Sequence, residues 1–297
     1  MTDMTGHSAS NSASDVTGAR PALAPELIEQ FSLRGRIAVI TGAAGGIGRQ
    51  AAITFAQAGA DVVIADVGVE GLEGTAALVA EARGTALVVP TDVSDRDAVE
   101  ALAAAALDAH GRIDVWANVA GIIRYAPITE VTPDDLAAIV GVNQFGTYWG
   151  VAAAGRIMAA DSVAEGSGKR GGSIINITSA GGDMPAPTLS VYAMTKAAVA
   201  HLTRCAAVEF GPSGIRVNAV APGFTDTPMV QRNWTRPDGS IDEEARNRFM
   251  GMRAAQSPLG TTATPEDQSL AMLYLASDAS KFVTGQILRP NGGVYMA

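Results

Sequence analysis

The chain has 297 residues, of which 47% are hydrophobic and 17% charged, and its formal net charge is -9 at pH 7. A chain of this length can bury a sizeable core, and its single cysteine, Cys205, excludes a disulfide framework. The acidic balance argues against a nucleic-acid partner, because such partners require basic residues that neutralise phosphates. No apolar run is long enough to span a bilayer and the N-terminal segment is unlike a secretory signal, so we expect a cytoplasmic protein with no membrane partner.

The chain divides into a short tail and one long patterned region. Residues 1–30 are rich in Ser, Ala and Gly and poor in aromatic residues, which predicts a disordered tail. From residue 31 to residue 297, short β-branched runs alternate with longer Ala/Leu-rich runs. Strands are predicted over residues 37–41, 61–66, 85–90, 115–119, 173–178, 216–221 and 286–290. Helices are predicted over residues 50–58, 72–81, 95–109, 134–160, 190–210 and 265–275.

This alternation predicts an α/β fold class. Most strand segments are near-continuous Val/Ile/Ala runs, as expected where both faces of a parallel sheet are covered. We therefore predict one Rossmann-type, doubly wound domain over residues 31–297, with a seven-stranded, mostly parallel sheet and helices on both faces. Ser94 and Thr264 stand where helix N-caps are expected.

Two connections are longer than usual. Residues 165–172 are Gly-rich and predict a surface loop. Residues 223–260 contain Trp234, Phe249 and several methionines, and so long a connection in a compact domain is usually functional. We predict that it forms a lid over an apolar substrate, with the acidic run from Asp242 as an exposed helix start.

A glycine-rich turn follows the first strand and leads into a helix. Gly42, Gly46 and Gly48 would let the backbone turn sharply and let a pyrophosphate approach the helix N-terminus, with Ile47 between the last two glycines. The second strand ends in Asp66, where a carboxylate can accept hydrogen bonds from the ribose hydroxyls of an adenosine. The pattern predicts a dinucleotide site.

Asp66 also bears on the choice of dinucleotide. A carboxylate at this position would repel a 2′-phosphate, and neither Ala44, Gly45 nor Val67 offers a guanidinium to receive one. We therefore expect NAD as the cofactor rather than NADP.

Tyr192 and Lys196 lie one helical turn apart at the start of a predicted helix, so their side chains share a face. A nearby ammonium favours a phenolate and would lower the pKa of the tyrosine toward the range useful for proton transfer. Ser179 follows a strand at the carboxyl edge of the sheet, where open α/β sheets bind ligands. Its hydroxyl could hold the substrate oxygen during proton transfer.

Taken together, these motifs resemble the short-chain dehydrogenase/reductase family in its single-domain form. The similarity covers residues 33–293 and rests on the order of the following groups: Thr41-Gly42, Gly46 and Gly48; Asp92-Val93; Asn118 to Gly121; Asn143; Ser179; Tyr192 and Lys196; and Pro222-Gly223 followed by Thr227. Val119 departs from the family pattern, which often has a second Asn there, and Asn291 stands where Asp is common.

The resemblance implies roles for individual residues. Tyr192 would be the acid/base, Lys196 would bind the nicotinamide ribose, Ser179 would position the substrate oxygen, and Asn143 would hold a water linked to Lys196. Asp92 and Val93 would contact adenine, Asn118 would tie down the central strand, and Ala120-Gly121 would leave room for the cofactor. Pro222, Gly223, Thr225 and Thr227 would face the nicotinamide and pyrophosphate. The family resemblance also implies a homotetramer built on helices 134–160 and 190–210 and the C-terminal segment.

Several reactive residue types receive a structural interpretation. His7, His110 and His201 are scattered without metal-ligand spacing, so no metal is expected. Cys205 and Trp116 are predicted to pack in the core.

The leading hypothesis is an NAD-dependent oxidoreductase that transfers a hydride between nicotinamide and an apolar secondary alcohol or ketone. One alternative is a 3-oxoacyl-thioester reductase acting on an acyl carrier protein, although the acidic composition disfavours an acidic carrier. An alternative of another class is a non-catalytic NAD-binding scaffold.

Overall fold

The computed structural model describes residues 24–164, 171–231 and 233–296. The predicted tail lies mostly outside these residues, as does most of the predicted surface loop. The last part of the tail, predicted as disordered, instead forms a short exposed helix, α1 (Pro25–Gln30). Pro25 in its first turn and the acidic Glu26 beside it favour a helix start.

The sheet contains seven parallel strands, as predicted, in the order β3-β2-β1-β4-β5-β6-β7. The strands are β1 (Ile37–Thr41), β2 (Asp61–Asp66), β3 (Ala86–Pro90), β4 (Val115–Asn118), β5 (Ser173–Ile177), β6 (Arg216–Val220) and β7 (Ile287–Leu288). The chain order reverses between β1 and β4, which are neighbours in the sheet. A crevice opens at such a switch point, outside the carboxyl ends of the strands.

Helices cover both faces of the sheet. They are α2 (Gly46–Gln57), α3 (Val69–Glu81), α4 (Arg96–His110), α5 (Pro133–Val140), α6 (Thr147–Ala164), α7 (Ala180–Asp183), α8 (Ser190–Phe210), α9 (Pro228–Gln231), α10 (Glu243–Gln256) and α11 (Pro265–Ala276). Helices α2, α3 and α11 pack on one face, and α4, α6 and α8 pack on the other. Within the described residues, no helix has both the length and the apolar character needed to cross a bilayer.

Strand β1 shows why these sequences form buried strands. All five of its residues are buried. Ala38 and Ile40 face the core under α2, whereas Ile37 and Val39 face the core under α4 and α6. Burial of each large aliphatic side chain contributes about 1.5–3 kcal/mol. Trp116 in β4 is fully buried, which confirms that prediction.

The helix predicted over residues 134–160 is interrupted. Between α5 and α6 the backbone forms a π-helical segment, Gly141–Gly146. Gly146 lies so close to the preceding loop that a Cβ there would be 2.7 Å from Cγ2 of Val93. The extra residue in this turn lets the chain pass Val93 and places Asn143 in the interior, a common use of π-bulges at functional sites.

Two sequence predictions about helices are wrong. Asp95, not Ser94, caps α4, since its side chain accepts from the Asp97 amide while the Ser94 hydroxyl donates to Asp92. Cys205 is exposed rather than buried. The buried positions of α8 include Thr203, Ala206 and Ala207, and Cys205 falls on the other side of the helix. The predicted cap Thr264 is confirmed, with a reciprocal bond to Asp267.

The connection predicted as a lid contains α9 and α10. Asp242 caps α10 by accepting from the Ala245 amide, so the acidic run starts a helix as predicted. The Phe249 ring lies 5.5 Å from that of Phe224 and 5.7 Å from that of Trp234, measured between centroids. These aromatic contacts join α10 to the loop that follows β6.

Candidate active site

A cavity of about 500 Å³ opens at the carboxyl ends of the strands. Most of the predicted site residues line it: Gly42, Gly46, Ile47, Gly48, Asp66, Asp92, Val93, Ala120, Gly121, Ser179, Tyr192, Lys196, Pro222, Gly223, Thr225 and Thr227. Asn118 and Asn143 lie behind this lining. The fold therefore gathers segments that are distant in sequence around one crevice.

The glycine-rich turn between β1 and α2 forms a cradle of backbone groups. Gly42 has φ +71°, and a Cβ there would lie 2.6 Å from the backbone N of Ala120. A Cβ on Gly48 would lie 2.1 Å from the carbonyl oxygen of Gly42, so only glycine permits the close approach of α2 to β1. The α2 N-cap, Gly45, offers no side-chain cap. The amides of the first turn are thus available to an anion such as a pyrophosphate, which this cradle fits.

Thr41 and two threonines from the loop after β6 lie against the cradle. The Thr41 hydroxyl at the end of β1 accepts from the amides of Val119 and Ala120, at 3.1 and 3.3 Å. The side chain of Thr227 would lie 3.3 Å from a Cβ on Gly46, so it covers the start of α2. The Thr225 hydroxyl donates to the Gly223 carbonyl at 3.2 Å.

Asp66 lies at the end of β2, beside this cradle. Its Oδ2 accepts from the Ala44 amide at 3.2 Å, and its Oδ1 accepts from the Gly68 amide at 3.0 Å. These bonds fix the carboxylate at the edge of the cavity. Asp92 is held similarly, because its Oδ1 accepts from the amide and the hydroxyl of Ser94 at 2.9 and 2.7 Å.

Asn118 forms part of a buried chain of hydrogen bonds and does not line the cavity. Its Oδ1 accepts from Nε1 of Trp116 at 2.8 Å, and its Nδ2 donates to Oδ1 of Asn176 at 2.9 Å. Asn176 in turn donates to the Thr203 hydroxyl at 3.0 Å. The network joins β4, β5 and α8, in line with the predicted tie of the central strand.

Asn143 lies directly behind the cavity wall. Its Oδ1 accepts from the Ile122 amide at 2.8 Å, and its Nδ2 donates to the Ile122 carbonyl at 2.9 Å. A Cβ on Gly121 would lie 3.3 Å from Oδ1 of Asn143 and 3.6 Å from Nζ of Lys196. The π-helical segment thus brings the amide of Asn143 close to the amine of Lys196.

Ser179, Tyr192 and Lys196 meet at the end of β5. Ser179 caps the short helix α7, and its hydroxyl oxygen accepts from the Gly181 amide at 3.0 Å. Ser179 and Tyr192 both line the cavity at this point. Nζ of Lys196 lies 5.7 Å from the centroid of the Tyr192 ring and donates to the Ile177 carbonyl at 2.8 Å.

The electrostatics of this group differ from the sequence expectation that Lys196 lowers the pKa of Tyr192. Burial raises the pKa of Tyr192 because it disfavours the phenolate, the Ser179 hydroxyl acts in the opposite direction, and the nearby Tyr125 adds to the rise. Burial also lowers the pKa of Lys196 to about 8. An amine with this pKa is only partly charged above neutral pH, which weakens its influence on the phenol.

The depressed pKa of Lys196 predicts how stability depends on pH. Between its folded pKa of about 8 and its ordinary value of 10.5, the unfolded chain binds more protons than the folded chain. The free energy of unfolding of the cofactor-free protein should therefore increase as the pH rises from 8 to 10. Urea unfolding should show this increase in the wild type and in Lys281→Met, an exposed control, but not in Lys196→Met. An equal increase in Lys196→Met would contradict the prediction.

The remaining wall of the cavity is mainly apolar and comes from the loops after β4, α7 and β6, from helices α9 and α10, and from the C-terminal segment. We name it the substrate-side wall, and it comprises Ile122, Ile123, Tyr125, Met184, Ala186, Leu189, Phe224, Met229, Val230, Arg253, Gln256 and Val294. The lid predicted over residues 223–260 supplies Phe224, Met229 and Arg253 to this wall, whereas its Trp234 and Phe249 do not line the cavity. The sequence did not single out Tyr125 or Arg253. Nothing in the sequence separates these two from other surface Tyr and Arg residues.

Comparisons with known proteins agree with this geometry. The crystal structure of a short-chain type dehydrogenase/reductase from Mycobacterium marinum superposes with a TM-score of 0.81 at 31% identity, and the match covers 91% of this chain and 100% of that one. A family model described as Enoyl-(Acyl carrier protein) reductase matches residues 42–295. The chain belongs to the short-chain dehydrogenase/reductase family.

Two curated relatives of this short-chain dehydrogenase/reductase extend the comparison. It is 42% identical to the cis-4-hydroxycyclohexanecarboxylate dehydrogenase of Sinomonas cyclohexanicum, over 87% of this chain and 96% of that protein. It is 36% identical to the 3-oxoacyl-(acyl-carrier-protein) reductase of Thermotoga maritima, over 88% of this chain and 98% of that protein. The short-chain dehydrogenase/reductase described here is an NAD(P)-dependent oxidoreductase acting on alcohol and ketone groups.

Proposed function

We propose that the protein is an NAD-dependent oxidoreductase of secondary alcohols or ketones carried on an apolar, cyclic body. The observation that carries the proposal is the meeting of Ser179, Tyr192 and Lys196 in one cavity, beside a backbone cradle for a pyrophosphate. Bound nicotinamide supplies the hydride acceptor or donor. The protein supplies orientation and the path of the proton.

In this proposal Tyr192 exchanges the proton with the substrate oxygen. The Ser179 hydroxyl, which lines the cavity together with Tyr192, binds the same oxygen and holds it in place. Lys196 would bind the nicotinamide ribose, and its charge would favour the phenolate that forms as Tyr192 gives up its proton. Asn143 and Lys196 both lie beside Gly121, and Asn143 would hold a water that returns protons from solvent.

The other predicted cofactor residues are assigned to parts of the dinucleotide. Gly42, Gly46, Ile47, Gly48 and Thr227 surround the pyrophosphate. Asp92, Val93, Ala120 and Gly121 line the adenine and ribose side, and Pro222, Gly223 and Thr225 line the nicotinamide side. Asn118 supports the wall from behind through β4.

NAD is favoured over NADP by two side chains. The Asp66 carboxylate is fixed at the cavity edge by two backbone amides and would repel a 2′-phosphate. The nearest guanidinium behind the cradle, that of Arg49, donates instead to the Thr75 hydroxyl at 3.0 Å and the Gly71 carbonyl at 3.2 Å. Because its guanidinium is used in these bonds, Arg49 is not available to bind a 2′-phosphate of the cofactor.

The isosteric variant Asp66→Asn tests this choice. We expect the ratio of kcat/KM for NAD to that for NADP to fall by about 10- to 100-fold, because a charge-assisted hydrogen bond to ribose is weakened and the repulsion is removed. Asp61→Asn, at the opposite end of β2, should leave the ratio unchanged. A wild-type preference for NADP, or no change in Asp66→Asn, would count against NAD.

The substrate assignment rests on the substrate-side wall and on one relative. Apolar side chains dominate this wall, so an apolar body would be desolvated next to Tyr192. The name of the Sinomonas relative describes a hydroxylated cyclohexane ring, which supports a cyclic body here. A panel of cyclic and linear secondary alcohols, followed by NADH absorbance, tests the assignment. Turnover confined to small linear hydroxy acids would exclude it.

A second candidate function is a 3-oxoacyl-thioester reductase, favoured by the relative from Thermotoga maritima. Reduction of acetoacetyl thioesters, measured beside cyclic ketones, separates the two candidates. Higher kcat/KM for the thioester would favour the reductase. The net charge of -9 argues against docking of an acidic carrier protein.

We further propose that residues 31–297 form one domain, in which residues 223–260 are a substrate lid. We also propose that the protein is a cytoplasmic homotetramer. Large apolar side chains are exposed on α5, α6, α8 and the C-terminal segment, where the family resemblance implies interfaces: Leu136, Tyr148, Met194, Val208 and Phe282. Sedimentation should give a tetramer, and a monomer at micromolar concentration would refute this assembly.

A further inference from the structure

The substrate-side wall carries one cationic side chain, Arg253. Four charged residues line the whole cavity within the described part of the chain: Asp66, Asp92, Lys196 and Arg253. The first two lie at the cofactor end, and Lys196 belongs to the group around Tyr192. Arg253 therefore gives an otherwise apolar substrate wall a positive charge.

The position of Arg253 is fixed by its neighbours. Its guanidinium carbon lies 5.6 Å from the ring centroid of Phe224 and 5.1 Å from that of Phe249. Its Nη1 donates to Oε1 of Gln256 at 3.1 Å. Two aromatic rings and an amide thus hold the guanidinium in place before any ligand binds, which reduces the entropy lost on binding.

The hydrogen-bonding capacity of Arg253 is not fully used. Its Nε is buried and finds no acceptor among the described residues. The other arginines of α10 differ in this respect, because Arg246 pairs with Asp226 at 2.8 Å and Arg248 pairs with Glu244 at 3.2 Å. Among the described residues no carboxylate pairs with Arg253, so the charge of its guanidinium at the cavity wall is available to an incoming anionic oxygen.

We propose that Arg253 binds a carboxylate at the far end of the substrate, so that the enzyme acts on hydroxy or oxo acids whose polar ends are separated by an apolar body. This inference rests on the proposed function, and it adds the anionic group to the substrate class. Tyr192 and Ser179 hold the reacting oxygen, the apolar wall covers the body, and the guanidinium receives the carboxylate. A cofactor phosphate offers similar oxygens, but the first turn of α2 and Thr227 already surround that position.

The test is a binding titration on the full enzyme loaded with NADH. Cyclohexanecarboxylate and its neutral analogue cyclohexanecarboxamide serve as probes. We expect the wild type to bind the carboxylate more tightly. Arg253→Gln should weaken carboxylate binding by about 10- to 100-fold and leave the carboxamide unchanged, and Arg253→Lys should restore part of the difference. Arg248→Gln, which removes the same charge from the same helix, should behave as the wild type.

Three results would overturn the proposal. The first is equal binding of both probes by the wild type, and the second is an equal loss of affinity for both probes in Arg253→Gln. The third is a loss of NADH affinity in a folded Arg253→Gln, which would assign Arg253 to the cofactor. NADH affinity is measured by its fluorescence, and the midpoint of urea unfolding verifies that each variant is folded. Turnover of neutral cyclic alcohols separates this proposal from the proposed function. If the enzyme oxidises these alcohols but Arg253→Gln does not weaken carboxylate binding, only the role of Arg253 is wrong. If it oxidises no alcohol, the proposed function is wrong.

Discussion

Replacement of Tyr192 by Phe should lower kcat by about 10²- to 10⁴-fold, the usual contribution of a positioned acid/base. The ring remains, so the packing against Lys196 is preserved and the affinity for NADH should change little. Steady-state kinetics with a cyclic alcohol and NAD, together with NADH fluorescence titration, measure both quantities. A residual rate near that of the wild type would remove Tyr192 from the chemistry.

A matched control and the alternative function are addressed by the same measurements. Tyr148→Phe removes one hydroxyl from a tyrosine that is half exposed on α6, and it should keep full activity. A non-catalytic scaffold would show no turnover in the wild type and no difference between the two variants. Loss of NADH binding in Tyr192→Phe would instead point to a structural effect.

Replacement of Gly42 by Ala should strongly impair cofactor binding and also destabilise the protein. The left-handed conformation at φ +71° costs an alanine roughly 1–2 kcal/mol. The new Cβ would also lie 2.6 Å from the backbone N of Ala120, and relief of such overpacking costs about 1–3 kcal/mol more. Because the cradle must shift to accommodate it, we expect NADH affinity to fall and kcat/KM to fall by about 10²-fold, the rate loss that a displacement near 1 Å can cause.

Gly35→Ala is a control that introduces the same backbone strain as Gly42→Ala but no close contact between the new Cβ and another residue. Gly35 has the same φ of +71°, but a Cβ there would have nothing within 4 Å. This variant should lose only the conformational part of the stability and retain NADH affinity. Urea unfolding and fluorescence titration of both variants provide the comparison. Equal losses of NADH affinity in the two variants would show that the contact with Ala120 does not matter.

The burial of Lys196 has a consequence for the order of events in catalysis. Before the cofactor binds, the amine donates to the Ile177 carbonyl, and its pKa is lowered to about 8. Burial meanwhile raises the pKa of Tyr192. The protein alone therefore does not hold a phenolate at neutral pH. In the proposed mechanism a protonated Tyr192 can donate to a ketone, whereas oxidation of an alcohol requires that Tyr192 first lose its proton.

Local sequence determined the fold class and most of the cofactor end of the site. The buried strands could be identified because both faces are covered, which makes each strand a continuous apolar run such as that of β1. The cradle could be identified because the glycines and Asp66 lie at strand ends, and strand ends of a parallel sheet meet at one edge. Such features depend on residues within one βαβ unit, so the local pattern is sufficient to predict them.

Features that depend on contacts between distant segments required the tertiary structure. The π-helical segment before α6 brings Gly146 against Val93, which lies far away in sequence. The exposure of Cys205 depends on which side of α8 meets the sheet. The pKa of Tyr192 depends on burial and on Tyr125, which raise it, and on Ser179, which acts in the opposite direction.

The cofactor end of the cavity could be predicted from local sequence, whereas the substrate end could not. The amino-acid sequence by itself determined the doubly wound sheet, the glycine cradle, and the pairing of Tyr192 with Lys196, because a repeated period or a single helical turn fixes each of them. Only the tertiary structure distinguished Arg253 from Arg246 and Arg248 on the same helix. The physical reason is that an arginine's role depends on whether a carboxylate lies beside it, and the packing of α10 against the loop after β6 decides that.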